Sequence, residues 1–173
     1  MKNLFYASVI GAALLVANLT VVAAEKTAQT KAEFNAAKAR AEAGYNAARS
    51  QCKNFSGNDR DICQKQAEAN LTKAKAQARA NYEGTGEAQL DAREDMIEAD
   101  YKVAKEKCDS LSGDAKDVCL AEAKAVYAKQ EATLEARGDS MEADYKVAKE
   151  RCNTLSGADR RACLKEAKVK FDD

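Results

Sequence analysis

A unit containing two cysteines is repeated three times along the chain, and it constrains the fold more than any other feature. The copies run from Tyr45 to Ala67, from Tyr101 to Ala123 and from Tyr145 to Ala167. In each copy a Cys follows the Tyr by seven residues, a second Cys follows by eighteen, and Ser-Gly lies between the two. All six cysteines belong to these units. We therefore expect three similar structural elements.

The composition favours long helices over a conventional globular core. Leu, Ile, Val and Phe make up about a tenth of the chain after residue 24, below the roughly one-fifth at which a packed core becomes doubtful. Ala, Lys, Glu, Arg and Gln replace them and Pro is absent, which suits helix formation. The 28 basic and 28 acidic residues balance and there is no His. This argues against nucleic-acid binding and against a pH switch near neutrality.

Apolar residues around each Tyr recur at helical spacing. In the first unit the positions are Phe34, Ala37, Ala41, Tyr45, Ala48, Cys52 and Phe55. In the second they include Leu90, Ile97, Tyr101, Ala104, Cys108 and Leu111, and in the third Met141, Tyr145, Ala148, Cys152 and Leu155. Steps of three or four residues place such a set on one helix face. Each unit is therefore predicted to begin with an outgoing helix whose apolar face includes the residue ten after Tyr.

The Ser-Gly pairs predict a chain reversal in every unit. Gly can adopt the left-handed conformation that closes a helix, and Ser or the polar residue after Gly can cap the next helix. The predicted outgoing helix of the first unit spans 27–54, and the return helices span 59–82, 115–137 and 159–171. The glycines at 84 and 86 predict a break between the first two units. Arg137-Gly138-Asp139-Ser140, with Glu142 completing a capping box, predicts another.

These breaks divide the chain into a predicted signal peptide, 1–24, and three helical hairpins, 25–84, 85–137 and 138–173. The expected fold is all-α, an elongated set of three antiparallel hairpins stapled by disulfides. The hairpins could be stacked, arranged as a string, or paired between chains through Ala-rich faces.

The cysteine spacing selects the disulfide partners. Residues eleven apart in one continuous helix lie roughly 16 Å apart, beyond disulfide reach. After a reversal at Ser-Gly, the two cysteines of a unit lie at the same height on antiparallel helices. The predicted bonds are Cys52–Cys63, Cys108–Cys119 and Cys152–Cys163, and each is worth on the order of 2–3 kcal/mol through loop closure.

The same reversal pairs large residues at the other end of each hairpin. Leu71, Tyr127 and Phe171 each stand eight residues after the second Cys of their unit. They reach the height of Tyr45, Tyr101 and Tyr145, which precede the first Cys by seven. These six residues are the predicted hairpin core, with small Ala residues between them and the disulfide.

The sequence suggests no catalytic, cofactor or metal site. No His is present to act as the base beside a nucleophile, and no Gly-rich phosphate loop is present. Zinc sites usually use closely spaced cysteine pairs, often with His, whereas ten residues separate the cysteines here. We expect no enzyme, no cofactor and no metal. Thiolate ligation of a soft metal remains the alternative use of the cysteines.

The N-terminal segment has the order of a secretory signal peptide. Lys2 is its only charge, an apolar run from Leu4 to Val16 follows, and small residues precede Glu25, the expected first residue after cleavage. An uncleaved anchor is the alternative, because the apolar run approaches the roughly 20 residues of a membrane span. Asn18 and Thr20 favour cleavage. The mature protein is then expected in an oxidising compartment, the bacterial periplasm, without a stable membrane span.

The unit Tyr-Lys-Val-Ala-Lys-Glu-Lys/Arg-Cys, with Leu-Ser-Gly and the second Cys, resembles a group of small exported beta-proteobacterial proteins that carry one to several copies. The likeness extends over Met96–Phe171 and, more loosely, over Gly44–Ala80. Some of these proteins are labelled as similar to TolA, a likeness of Ala/Lys/Glu-rich composition. The resemblance implies an exported cell-envelope protein and no mechanism.

The resulting expectation is a non-enzymatic periplasmic repeat protein with a structural or interaction role at the cell envelope. Its partner would be an envelope protein or component, and self-association is compatible with Ala-rich faces. The alternatives are a metal-binding module and a holdase-type chaperone for stressed proteins.

Overall fold

The computed structural model describes residues 29–171, and within that range the secondary structure is entirely helical. The five helices are α1 (Lys31–Cys52), α2 (Gly57–Glu83), α3 (Gly86–Cys108), α4 (Gly113–Asn153) and α5 (Gly157–Phe171). The predicted all-α fold of stapled hairpins is confirmed. The predicted signal peptide lies outside the described residues. No helix between residues 29 and 171 is both long and apolar enough to cross a membrane.

Side-chain caps define two of the helix starts. Thr30 and Glu33 form a capping box before α1, in which the Thr30 hydroxyl accepts from the Glu33 backbone N–H at 3.2 Å. The Glu33 carboxylate accepts from the Thr30 backbone N–H at 2.8 Å. At the start of α3 the Thr85 hydroxyl accepts from the Ala88 backbone N–H at 3.1 Å. Each bond satisfies a donor that the first helical turn cannot pair internally.

The chain reverses at every Ser-Gly pair, as predicted, but the position of Gly relative to the helices differs from the prediction. Gly57, Gly113 and Gly157 have φ values of +53°, +57° and +58°, which favour glycine over any residue with a side chain. They open the return helices instead of closing the outgoing ones. The outgoing helices end at Cys52, Cys108 and Asn153, several residues earlier. The serines at 56 and 112 occupy the N-cap position without a side-chain hydrogen bond.

The helices form an open row of antiparallel neighbours. α1 contacts α2, α2 contacts α3, and α3 contacts the first half of α4, while α5 returns along its second half. Within the described residues α1 and α4 make no contact, so the row does not close into a bundle. α4 is therefore an edge of the row, and at 41 residues it is about 60 Å long.

The predicted break at Arg137–Ser140 is wrong, because α4 runs through it without interruption. A single glycine costs a helix only about 1 kcal/mol relative to Ala. By contrast, the turn between α2 and α3 has Gly84 in the left-handed conformation (φ +71°) and Thr85 as a cap. Gly138 instead lies against α3, where an added Cβ would be 3.7 Å from Leu90 Cδ1. The predicted segment 138–173 therefore begins inside a helix.

The interface between α2 and α3 contains most of the buried residues. Its members are small: Ala69, Ala76, Ala80, Ala88, Ala92, Ala99 and Val103 are each at most 5% exposed. Ion pairs line its margins, with Lys73 Nζ 2.6 Å from Asp100 Oδ1 and Arg79 Nη2 3.4 Å from Asp95 Oδ2. The first two predicted hairpins are thus joined through a shared core.

The end of α5 meets the start of α3. An added Cβ on Gly86 would lie 3.1 Å from the Lys170 carbonyl oxygen and 3.2 Å from that of Phe171. Gly86 is buried. Because α3 and α5 both run antiparallel to α4, they follow one another along the same side of α4.

The close approach of α2 and α3 makes Ala92, which is 1% exposed, sensitive to added volume. We predict that Ala92→Leu lowers the free energy of unfolding by about 1–3 kcal/mol, because a well-packed contact cannot accept three more carbons without moving the helices. Urea unfolding of the oxidised protein, followed by circular dichroism, measures the loss. Ala39→Leu, at an exposed position of α1, is the matched control and should change stability little. Equal effects of the two substitutions would contradict the assigned core.

Candidate interaction surface

The six cysteines form the three predicted disulfides, and this pairing is confirmed. The bonds join Cys52–Cys63, Cys108–Cys119 and Cys152–Cys163, with Cα–Cα distances of 5.5, 5.6 and 5.5 Å. In each bond the first cysteine is almost fully buried, and the second is partly exposed. Disulfides of this kind are typical of proteins from an oxidising compartment.

In the second and third hairpins, aromatic contacts join the two helices at the predicted position, seven residues before the first Cys. The rings of Tyr101 and Tyr127 stack with centroids 4.7 Å apart, and those of Tyr145 and Phe171 lie 6.5 Å apart. Tyr45 and Leu71 are half-buried on α1 and α2. The ring contact of that first hairpin lies further from the disulfide.

That contact joins Phe34 to Tyr82, which stack with centroids 4.8 Å apart. The sequence pattern places Phe34 on the apolar stripe and Tyr82 at the end of the predicted return helix, but it does not pair the two. Since the first two units are further apart along the chain than the last two, α1 and α2 have room for this additional contact. The signal that identifies it is the antiparallel register, because Phe34 precedes Cys52 by almost the same number of positions as Tyr82 follows Cys63.

The residue ten after each Tyr does not join the hairpin core, contrary to the stripe prediction. Phe55, Leu111 and Leu155 are 49%, 42% and 44% exposed. The outgoing helices end before these residues, and each backbone N–H instead donates to the carbonyl of the first Cys at 3.0–3.2 Å. Each turn therefore presents one apolar side chain to solvent. Isolated apolar residues of this kind are common on protein surfaces.

The charged side chains of the described residues are arranged as surface ion pairs. Lys102 pairs with Glu98 at 2.9 Å and Lys146 with Glu142 at 2.7 Å, both at helical i, i+4 spacing. No group of three or more Cys, Asp or Glu between residues 29 and 171 is placed to hold a metal ion. Every cysteine sulfur is bonded to another sulfur. Metal ligation by thiolates would therefore require reduction first.

One side of the row carries a groove with an apolar floor and a basic rim, which we call the basic groove. It measures about 650 Å³ and crosses α2, α3 and α4. The apolar residues are Met96, Ile97, Val126 and Leu134, and the charged ones are Lys73, Arg93, Asp100, Lys129 and Arg137. Lys73 is paired with Asp100. Arg93, Lys129 and Arg137 form no ion pair within the described part of the chain.

The opposite side of the α3–α4 pair is acidic. A second cleft there is lined by Leu90, Asp91, Glu94, Glu131, Leu134, Glu135 and Gly138. Burial and the nearby Glu131 carboxylate raise the pKa of Tyr127 above its ordinary value near 10. Both effects disfavour the phenolate. The two sides of the same helix pair thus carry opposite charge, although the whole chain is neutral.

Comparison of the chain with protein-family models, curated protein sequences and solved structures gives no match in any of the three.

The Tyr101–Tyr127 contact predicts coupled losses of stability. Each single change to Ala should lower the thermal unfolding temperature. The double variant should lose less free energy of unfolding than the two single variants together, and this coupling should be about 0.5–1.5 kcal/mol, as for other aromatic pairs. The matched control combines Tyr101→Ala with Phe34→Ala, which lie in different hairpins and should be additive. Additivity in both pairs would show that the rings do not stabilise the hairpin together.

The raised pKa of Tyr127 predicts an alkaline limit to stability. A tyrosine whose pKa is higher in the folded state adds stability below the unfolded value near 10, and this is lost as pH rises through the folded value. In an absorbance titration of phenolate, the step removed by Tyr127→Phe should lie above pH 10. Glu131→Gln should move that step toward lower pH. A Tyr127 step at or below pH 10 would contradict the assignment.

Proposed function

We propose that this is a non-enzymatic helical-repeat protein of the bacterial periplasm, with an interaction role at the cell envelope. The observation that carries the proposal is the basic groove, where three cations without an ion pair among residues 29–171 surround an apolar floor on a scaffold stapled by disulfides. Because its cations stand together beside apolar side chains, the groove offers a partner both charge and apolar contact.

Two further features support the compartment. The three disulfides fit an oxidising environment, and segment 1–24 has the pattern of a secretory signal peptide. The resemblance of the repeated unit to exported beta-proteobacterial proteins points to the same location. Together these favour the periplasm over other oxidising compartments.

The groove indicates what kind of partner it fits. Its long dimension follows α4 from Val126 to Arg137, which is about 16 Å at roughly 1.5 Å per residue. A segment of about three helical turns has that length. Apolar side chains of the segment would cover Met96 and Ile97, and carboxylates would pair with the cations of the rim. We therefore propose an acidic amphipathic segment of an envelope protein as the ligand.

Photocrosslinking in the native periplasm tests this function. A photoreactive amino acid at Thr133, which lines the groove, should capture an envelope protein, and the crosslinked peptide should be acidic. Reversing two charges with Arg93→Glu and Arg137→Glu should reduce capture at least about tenfold, because attraction becomes repulsion at both sites. Mass spectrometry identifies and quantifies the captured peptide.

Arg40→Glu is the matched control, since Arg40 is exposed on α1, outside the groove. It should leave capture unchanged. Capture that is insensitive to the groove substitutions, or capture of no envelope protein, would contradict the role proposed for the groove. Retention of the chain in the cytoplasm would contradict the compartment.

A further inference from the structure

The second half of α4 repeats α3 beyond the cysteine unit. Aligning Tyr145 with Tyr101 places 132–147 on 88–103, and the small residues are kept: Ala88, Ala92, Ala99 and Val103 correspond to Ala132, Ala136, Ala143 and Val147. Acidic residues are kept as well, with Asp91, Asp95 and Asp100 corresponding to Glu135, Asp139 and Asp144. In α3 these are the residues that pack against α2 and pair with its cations.

The corresponding residues of α4 have no helix against them. Val103 is 5% exposed and Val147 is 51% exposed. Ala132, Ala136 and Ala143 are exposed, whereas their counterparts in α3 are buried. The same side-chain pattern is thus a buried interface in one repeat and an open surface in the next.

The first half of α4 in turn resembles α2. The alignment that places Tyr101 on Tyr45 also matches Ala69, Lys73, Ala76 and Ala80 with Ala125, Lys129, Ala132 and Ala136, and these four residues of α4 are also exposed. α4 therefore joins an α2-like half to an α3-like half. In the earlier repeat a turn at Gly84 folds the two halves together, and α4 has no such turn.

Both halves present these residues on the same side of α4. Ala125, Ala132, Ala136, Ala143 and Val147 follow steps of four and seven residues, which defines one face of a helix; we call it the outer face. Tyr127, Leu134 and Tyr145 lie on the side directed at α3 and α5. Because α4 is an edge of the row, the outer face is open along most of its length.

We propose that the outer face binds a second copy of the chain, with the two α4 helices antiparallel about a two-fold axis. Each α2-like half then packs on the α3-like half of the other subunit, and the self-complementary surface closes the assembly at two copies. The contact is built like the α2–α3 interface, which is already the main core of the molecule.

That internal interface fixes the register. Ala69 packs with Ala99 and Val103, so Ala125 should meet Ala143 and Val147 of the partner subunit. Lys73 pairs with Asp100 at 2.6 Å, so Lys129 should pair with Asp144 of the partner subunit. In this register Ala136 lies at the axis, beside Ala136 of the partner subunit.

Lys129 and Asp144 have no ion pair within one chain among the described residues, which leaves both available.

One position departs from the α2–α3 pattern. Arg79 of α2 pairs with Asp91 and Asp95, but its counterpart in α4 is Glu135. In the dimer Glu135 faces Glu135 and Asp139 of the partner subunit, the counterparts of Asp91 and Asp95, and the carboxylates repel each other there. The proposed interface is therefore weaker than the α2–α3 interface, and a single substitution that removes the Glu135 charge should relieve the repulsion.

Sedimentation equilibrium of the purified, oxidised full chain tests the proposal, without reference to any envelope partner. The protein should show twice the mass of one chain at high concentration and dissociate on dilution. Ala136→Glu should give a single-chain mass with unchanged helix content and disulfides. Ala39→Glu, the same change at an exposed position of α1, should leave the dimer intact. Glu135→Gln should lower the dissociation constant by about threefold or more, because it removes the repulsion of Glu135 by Glu135 and Asp139 of the partner subunit.

The charge pair tests the register independently. Lys129→Glu should weaken the dimer, and the double variant Lys129→Glu with Asp144→Lys should restore it. A single-chain mass at every concentration would overturn the proposal. The same mass would result if α4 folded back at Gly138 and its two halves paired within one chain. A dimer that survives Ala136→Glu, or one that Glu135→Gln weakens, would show that another surface is used. Capture at the basic groove is tested through Arg93 and Arg137, which the dimer does not use, so the two proposals can fail separately.

Discussion

The disulfide beside each turn is the constraint on which the hairpins depend. An Ala-lined helix pair buries little apolar surface, at roughly 0.8 kcal/mol for each methylene-sized group, so the contact alone holds two helices weakly against chain entropy. Each bond between cysteines eleven residues apart fixes one end of a pair. Ring contacts such as Tyr101–Tyr127 fix the other end. Between these two points, alanines suffice to keep the helices close.

The α2–α3 pair shows what is needed where no disulfide is present. Its turn has a left-handed glycine and a threonine cap, its contact is almost entirely Ala, and cations of α2 pair with carboxylates of α3. α4 has most of the same interface side chains as α2 and α3, but it has no turn that would fold its two halves together. The molecule therefore uses one surface pattern twice, once inside the chain and once, in our proposal, between chains.

The sequence predicted the hairpins well because the cysteine unit occurs in three copies, and Tyr, Cys and Ser-Gly keep a fixed spacing in each. It predicted the path between units less well. A single glycine such as Gly138 is compatible with either a turn or a helix. The segment at Gly84 differs because it has a second glycine nearby and a side chain that caps the next helix. The α2–α3 core was missed, although Ala88, Ala92, Ala99 and Val103 have helical spacing. In an Ala-rich chain that signal stands out only when two repeats are compared position by position.

The two proposed surfaces are related by geometry. A two-fold axis that exchanges antiparallel neighbours in a row is perpendicular to the plane of the row, so both copies present the same side. The basic grooves of a dimer would therefore lie on one side of a joined row, each beside its own α3 and α4. Lys129 would pair across the dimer, which leaves Arg93 and Arg137 as the free cations of each groove. A partner carrying several acidic segments could occupy both grooves, and the second contact would form at high effective concentration. Weak binding at each groove would then suffice, which suits a shallow site with so few cations.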